Sequence, residues 1–172
     1  MAHYGTLDSV RCQYPTMTNV PEPENDVQRR VVDDVQRAGW HSVSYGHGPS
    51  PTDPPFGHTV GLARTFGHPE LIIVNIEGEK GHAIRRNLVA DIKAGHSFED
   101  GAVTDDALED HDVRFRAVDV SAVANWLDLA VWYYADQPFA ALQILWPDRS
   151  GRFPDEPGYE HEASRQLLLS TA

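Results

Sequence analysis

Histidines are the residues of this 172-residue chain best suited to chemistry near neutral pH, and there are nine of them. His41 and His58 both lie in segments whose side chains alternate, and each shares a side with apolar neighbours. A histidine in that position is either a hydrogen-bonded core residue or a general acid or base in a pocket. We therefore take His41 and His58 as candidate catalytic residues.

His68 and Glu70 lie two positions apart, just before a strongly apolar run. In an extended chain both side chains point to one face, which suits an acid–base pair or a metal site. Alternatively, both side chains bond to nearby backbone and fix the turn. A metal site needs a further ligand. Three residues could supply it: His41, His58 and Asp148.

Polar residues in the C-terminal half suggest contacts with a substrate. Gln143 interrupts the apolar run 140–146, and a buried amide there must find a backbone or ligand partner. Trp146 and Asp148 stand where that run ends in a glycine- and proline-rich loop. Arg152 is the best candidate for binding a substrate carboxylate, although it could instead form an ion pair with a neighbouring acidic residue.

The elements that must position these residues follow from apolar periodicity and turn residues. The pattern predicts helices at about 26–38, 79–94 and 121–135 and strands at 40–45, 56–62, 71–76, 113–118 and 140–146. Residues 96–112 are acidic and turn-like. This order predicts a single α+β domain over 25–160, with a mixed or mostly antiparallel sheet covered by about three helices. Residues 1–24 are expected to be a loosely ordered arm and 161–172 a tail.

Composition narrows the classes of function. The formal net charge of −12 disfavours nucleic acid and anionic membrane surfaces as partners. No apolar stretch reaches the length of a membrane span, and the N-terminus lacks the apolar core of a secretory signal. The single cysteine, Cys12, excludes an internal disulfide and fits a reducing compartment. We therefore expect a cytoplasmic protein.

Several short blocks occur together in the order of one bacterial family. They include Gly39-Trp40-His41, Pro54-Pro55-Phe56, Thr59-Val60-Gly61-Leu62, Trp132-Tyr133-Tyr134, Trp146-Pro147-Asp148 and Gly151-Arg152-Phe153-Pro154. Over about residues 26–160 the chain resembles the domain of unknown function 4262 family. The resemblance implies a small soluble bacterial α+β protein and brings no established reaction. Two positions depart from the family pattern, since Gly57-His58 replaces an Ala-Tyr pair and Asp155 replaces an aromatic residue.

The leading hypothesis is a small cytoplasmic enzyme that uses histidine and carboxylate acid–base chemistry on a small organic molecule, by cyclisation, isomerisation, hydration or hydrolysis. The predicted catalytic residues are His58, His41, Glu70 and Asp148. The predicted substrate-binding residues are Arg152, Gln143, Trp146 and His68. No cofactor is expected, and no phosphate, dinucleotide or zinc-helix motif occurs.

Two alternatives stay open beside the enzyme hypothesis. The first is a non-catalytic binding or protein-interaction module, which the acidic surface and the aromatic residues 126–134 would suit. Such a module could form a homo-oligomer. The second is an enzyme that binds a divalent metal through His58, His68 and Glu70; a flavin is a weaker option.

Overall fold

The structure is a computed structural model that describes residues 19–76, 78–108, 111–135, 137–160 and 166–171. Within these residues the chain forms an α+β domain around one six-stranded sheet, as the sequence predicts. The strands are β1 (His41–Tyr45), β2 (Phe56–Val60), β3 (Glu70–Val74), β4 (Val103–Leu108), β5 (His111–Val118) and β6 (Ala141–Leu145). The helices are α1 (Asp26–Ala38), α2 (Leu62–Phe66), α3 (Gly78–Lys93) and α4 (Asp128–Tyr134), with a 3₁₀ turn at Ala124–Trp126.

The sheet consists of two antiparallel halves joined by one parallel pairing. The strand order is β1-β2-β3-β6-β5-β4, and all neighbours are antiparallel except β3 and β6. In this parallel seam Glu70 pairs with Ala141 and Ile73 with Ile144. The carboxyl ends of β3 and β6 therefore lie at the same edge of the sheet.

Helices cover both faces of the sheet, and each face has its own apolar core. Helix α3 packs on one face through Ile84, Leu88 and Ile92, against Leu71 and Ile73 of β3. Helices α1 and α4 pack on the other, where their side chains meet those of the alternate strand positions. The alternation of side chains in β1 and β2 thus decides which face each histidine reaches.

Local sequence explains where α1 begins and ends. The side chain of Asn25 accepts a hydrogen bond from the Gln28 N–H at 2.9 Å, which caps the first turn. Gly39 follows the helix with φ 87°, a left-handed conformation that ends helices and favours glycine. The chain then enters β1 with His41 already on the face that α1 covers.

Three elements differ from the sequence prediction. The expected strand 56–62 ends at Val60, because Gly61 adopts φ 106° and Leu62 begins α2. The expected helix 121–135 is divided into the 3₁₀ turn and α4. The sequence pattern does not predict strand β4, which lies at the edge of the sheet, where a polar, acidic strand is tolerated.

Parts of the predicted organisation lie outside the described residues. These parts include Cys12, most of the predicted arm 1–24, and residues 161–165 of the predicted tail. Within the tail, Leu169 is buried and its N–H donates to Gln143 Oε1. Among the helices of the described residues, none has the length and apolar character needed to cross a membrane.

Candidate functional site

His58 is fully buried on the face of β2 that α1 and α4 cover. Its Nδ1 lies 3.0 Å from the backbone oxygen of Thr59. Since a carbonyl oxygen only accepts, Nδ1 carries a proton. Nε2 has no hydrogen-bond partner in the described residues and lies 3.6 Å from Asp128 Oδ1. A second proton on Nε2 would therefore sit between the imidazole and a carboxylate.

Asp128 links this buried histidine to the surface. Its side chain is 54% exposed, and its Oδ1 accepts from the Tyr45 hydroxyl at 2.6 Å and from the Leu129 N–H at 2.8 Å. Burial works against ionisation, but His58, Tyr45 and the Leu129 N–H together hold the pKa of Asp128 below its usual range. Burial, reinforced by the carboxylate, raises the pKa of Tyr45 far above its ordinary value. Asp128 is thus a carboxylate and Tyr45 a neutral donor.

His41 forms a second imidazole–carboxylate pair. Its Nδ1 lies 2.8 Å from Asp34 Oδ2 on α1, and its side chain is 10% exposed. Nδ1 therefore donates to Asp34, and Nε2 carries the lone pair with no partner in the described residues. Burial lowers the pKa of His41, and the charges of His58 and Arg30 act in the same direction, while Asp34 opposes them. The neutral, basic form of His41 is consequently favoured.

The two histidines are neighbours on one sheet face. In the β1–β2 register, Val43 pairs with His58 and His41 with Val60. His41 and His58 are therefore diagonal neighbours, a relation that places residues about 7–8 Å apart. Sequence alternation predicts their shared inward face. It does not reveal Asp34 or Asp128, because both acids come from helices that only tertiary packing brings over the sheet.

Glu70 is also on this face, but its oxygens are fully engaged. Oε1 accepts from the N–H groups of Gly61 at 3.0 Å and Ala63 at 3.2 Å, and from the Tyr134 hydroxyl. Oε2 accepts from the Thr59 hydroxyl at 2.6 Å. Burial raises the pKa of Glu70, an effect that these donors partly offset. The carboxyl group thus links β2, α2 and α4, and its role is structural.

His68 is held on the other face. Its Nε2 accepts from the Phe98 N–H at 3.0 Å, and its Nδ1 donates to the Pro69 oxygen at 2.7 Å. Burial lowers its pKa, and the hydrogen bond to Pro69 only partly opposes this. His68 thus reaches into the α3 core, whereas Glu70 bonds to α4. Among the described residues, no group of three or more acids, histidines or cysteines is placed to hold a metal ion.

The predicted substrate-binding residues of the C-terminal half bond to other parts of the chain. Gln143 binds Leu167 O at 2.7 Å and Leu169 N at 2.9 Å, and so anchors the tail. The Trp146 indole N–H donates to the Val74 oxygen at 3.3 Å. The Arg152 side chain donates to the Gly158 oxygen at 2.8 Å, in the loop after β6.

Asp148 organises that same loop. Its carboxylate accepts backbone N–H groups from Ser150 at 2.8 Å, Arg152 at 2.9 Å and Glu160 at 2.8 Å. Burial would raise its pKa, but these donors hold the pKa of Asp148 below its usual range. The structure therefore joins Asp148 to the backbone of its own loop, and the hydrogen bonds described for its carboxylate do not involve His41 or His58.

His58 and Asp155, which are expected from the sequence to depart from the family pattern, have different surroundings. His58 is enclosed by Tyr45 and Phe56, with ring centroids 6.1 and 6.4 Å away. Asp155, by contrast, is partly exposed and pairs with Arg114. Position 58 therefore holds an ionisable ring inside the molecule, while Asp155 forms a surface ion pair of small energetic weight.

Sequence reasoning missed one further buried charge, Arg85 of α3, which is 0% exposed. A signal for it was present in the helix periodicity. The buried positions of α3 recur three or four apart: Gly81, Ile84, Arg85, Leu88, Val89 and Ile92. An arginine inside such a stripe must lie in the core.

Shallow cavities lined by described residues occur near these elements. One of about 570 Å³ runs along α1 and includes Asp34 together with Arg30 and Arg37. Asp34 thus belongs both to this cavity and to the pair with His41. Another, of about 390 Å³, lies beside α4 and is more apolar.

Comparison with known proteins identifies the family of this chain. The profile of the family described as a domain of unknown function (DUF4262) matches residues 34–160, well over half of the chain. No curated protein and no solved structure matches the chain. The matched range includes both histidine pairs and the whole sheet.

Proposed function

The chain belongs to the DUF4262 family, and we propose that it is a small acid–base enzyme in which His41 is the base. The substrate class is a small organic molecule, and the reaction class is cyclisation, isomerisation, hydration or hydrolysis. The observation that carries this proposal is the His41–Asp34 hydrogen bond, which leaves Nε2 as a lone-pair nitrogen on a slightly exposed side chain. A general base needs this arrangement of an oriented ring and a free nitrogen.

Asp34 has the orienting role in this scheme. By accepting from Nδ1 it fixes the tautomer of His41, and it stabilises the imidazolium that forms when Nε2 takes a proton. The depressed pKa keeps the ring unprotonated and ready at neutral pH. The sequence alone favours Glu70 or Asp148 for the orienting role. We propose that Asp34 has this role, since the other two are occupied by structural hydrogen bonds.

His58 lies beside Asp128 but is fully buried, so it does not reach a substrate. In the proposed cycle Nε2 of His41 removes a proton from one substrate atom and, as the imidazolium, delivers it to another. The ring is neutral again at the end, so the enzyme ends as it began.

Deuterium incorporation from the solvent tests this function on many compounds at once. A panel of small oxo acids, hydroxy acids, lactones and amides is incubated with the protein in D₂O and followed by proton NMR. We expect the wild type to deuterate or convert at least one compound, and His41→Gln to slow that reaction by about 10²–10⁴-fold. Asp34→Asn should slow it less.

His96→Gln is the matched control, because His96 is an exposed histidine outside both pairs. It should react as the wild type does. Equal rates for His41→Gln and the wild type would refute the role of His41. A panel left unchanged by the wild type would instead favour the interaction module.

That second candidate has one observation in its favour, the apolar cavity beside α4. Its lining residues are Val120, Ser121, Ala124, Val131, Ala135, Gln137, Pro138 and Phe139. Val131, on α4, is an exposed large apolar residue. The occupant we propose is the same face of a second copy, which would make the protein a homodimer.

Sedimentation over a range of concentrations tests self-association. Val131→Asp should abolish a dimer, whereas Val27→Asp, at an exposed valine of α1, should leave it intact. A wild type that stays monomeric at every concentration would refute this candidate. The metal-dependent alternative receives no support from the placement of His68 and Glu70. A cytoplasmic location remains our proposal, on the grounds of cysteine content and charge.

A further inference from the structure

Arg85 is a buried cation held by neutral groups. Nε and Nη2 donate to the Ser42 hydroxyl, both at 3.1 Å, and Nη2 also donates to the Val43 oxygen at 3.2 Å and the Ser44 hydroxyl at 2.9 Å. No carboxylate of the described residues forms an ion pair with it. Burial accordingly lowers the pKa of Arg85, to about 10.

One nitrogen of this guanidinium is left without an acceptor. Nη1 is buried and has no hydrogen-bond partner in the described residues. A buried, unpaired donor on a charged group is costly, so its retention in a core points to a partner that binds there.

Two glycines show where Nη1 points. A Cβ built on Gly57 would lie 2.5 Å from Nη1, and one built on Gly81 would lie 3.4 Å from it. Gly57 belongs to β2, and Gly81 is the fourth residue of α3. Nη1 is therefore directed between the sheet and the first turn of α3.

The first turn of α3 is itself suited to an anion. The helix has 16 residues, and the N-terminus of a long helix carries unsatisfied N–H groups and a partial positive charge. It follows the carboxyl end of β3, beside the carboxyl end of the parallel strand β6.

The side chains of the first turn add one cation and one anion, both exposed. Lys80 favours an anionic ligand, and Glu79 opposes it. Neither Gly78 nor Gly81 adds a side chain that could shield the N–H groups of the turn.

We propose that the first turn of α3 and Arg85 Nη1 together bind the phosphate group of a small ligand. The turn supplies backbone N–H groups, Lys80 a mobile charge, and Arg85 the buried donor that selects an oxyanion. This site lies on the opposite sheet face from the His41 pair and does not depend on the proposed enzyme function.

Titration of the full chain with sodium phosphate, at ionic strength held constant with sodium chloride, tests the site. Isothermal titration calorimetry should show saturable binding, and amide NMR should place the shifts at residues 78–81 and Gly57. Arg85→Met should weaken binding at least tenfold, as loss of a charge-assisted hydrogen bond predicts. Arg86→Gln, at the exposed neighbour on the same helix, is the control and should bind as the wild type does.

Further measurements identify the ligand and keep the test valid if Arg85→Met fails to fold. Glu79→Gln should bind phosphate more tightly and Lys80→Gln less tightly, and both changes are at the surface. Acetate should bind at least tenfold more weakly than phosphate; equal binding would overturn the assignment to phosphate. Absence of saturable binding by the wild type, shifts confined to other residues, or full binding by Arg85→Met would overturn the site itself.

Discussion

Removal of one hydroxyl group, in Tyr134→Phe, tests whether Glu70 is the structural joint between β2, α2 and α4. In the folded protein the Tyr134 hydroxyl donates to Glu70 Oε1 and lies 3.2 Å from the Gly61 N–H. The ring itself packs against Phe139, with centroids 4.6 Å apart, and phenylalanine preserves that contact. The substitution thus removes a donor to Glu70 and an acceptor for the Gly61 N–H, and it leaves the ring packing unchanged.

The expected cost follows from the kind of hydrogen bond lost. A hydrogen bond to a charged group contributes about 1.5–3 kcal/mol to the free energy of unfolding. Glu70 Oε1 keeps the Gly61 and Ala63 N–H donors, so we expect about 2 kcal/mol, near the low end of that range. For a domain of this size that corresponds to a fall in Tm of about 4–8 °C.

The cost should also depend on pH, with a definite sign. Burial raises the pKa of Glu70, so the folded protein binds this proton more tightly than the unfolded chain, and stability falls as pH rises through the folded pKa. The Tyr134 hydroxyl reduces that loss because it donates to the ionised carboxylate. Its removal should therefore cost more at high pH than at low pH, and the difference should appear only above pH 4.5, the ordinary pKa of glutamate.

Urea unfolding of the wild type, Tyr134→Phe and Tyr133→Phe between pH 5 and 9 measures both effects. Tyr133 is the matched control, because its hydroxyl has only a 3.4 Å contact with Arg64 and its removal should cost less than about 0.5 kcal/mol. Equal costs for the two tyrosines, or a Tyr134→Phe cost that shrinks as pH rises, would refute the role given to Glu70.

The remaining predictions concern packing and titration. Gly57→Ala should lower the free energy of unfolding by about 1–3 kcal/mol, because the new Cβ would lie 2.6 Å from a backbone oxygen of β1. Gly46→Ala is the control, since a Cβ there has no atom within 4 Å. Equal urea midpoints for the two variants would contradict this prediction. Burial lowers the pKa of His68, so the unfolded chain binds that proton more tightly and stability should fall as pH drops below 6.5. In urea unfolding, His68→Gln should make stability depend less on pH in this range. An unchanged pH dependence would contradict the prediction. Proton NMR should show His41 titrating below 6.5. Asp34→Asn should lower the pKa of His41 further, because it removes the carboxylate that raises that pKa. A rise in the pKa of His41 would contradict the pairing.

Much of the fold could be predicted because its strands and helices carry strong local signals. Strand β3 is continuously apolar after Glu70, and α1 has both a cap and a glycine stop. Strand β4 has no such signal: it pairs only with β5 at the sheet edge, and Val103 is 52% exposed. The sequence pattern places the end of β2 two residues late, since Leu62 continues the apolar pattern while the positive φ of Gly61 ends the strand.

The candidate site was only half predictable. Alternation along β1 and β2 predicts that His41 and His58 each face inward, and the β1–β2 register of the structure is what makes them neighbours. Their carboxylate partners do not follow. Asp34 and Asp128 lie on helices, and their distance from the histidines depends on how α1 and α4 cross the sheet.

The parallel seam between β3 and β6 also has a kinetic consequence. Each antiparallel half of the sheet is built from strands close in sequence, whereas the seam joins residue 70 to residue 141. Closing so long a loop costs conformational entropy before any hydrogen bond of the seam can form. We expect the two halves to gain order early and the seam last, so substitutions of Ile73 or Ile144 should change the unfolding rate more than the folding rate.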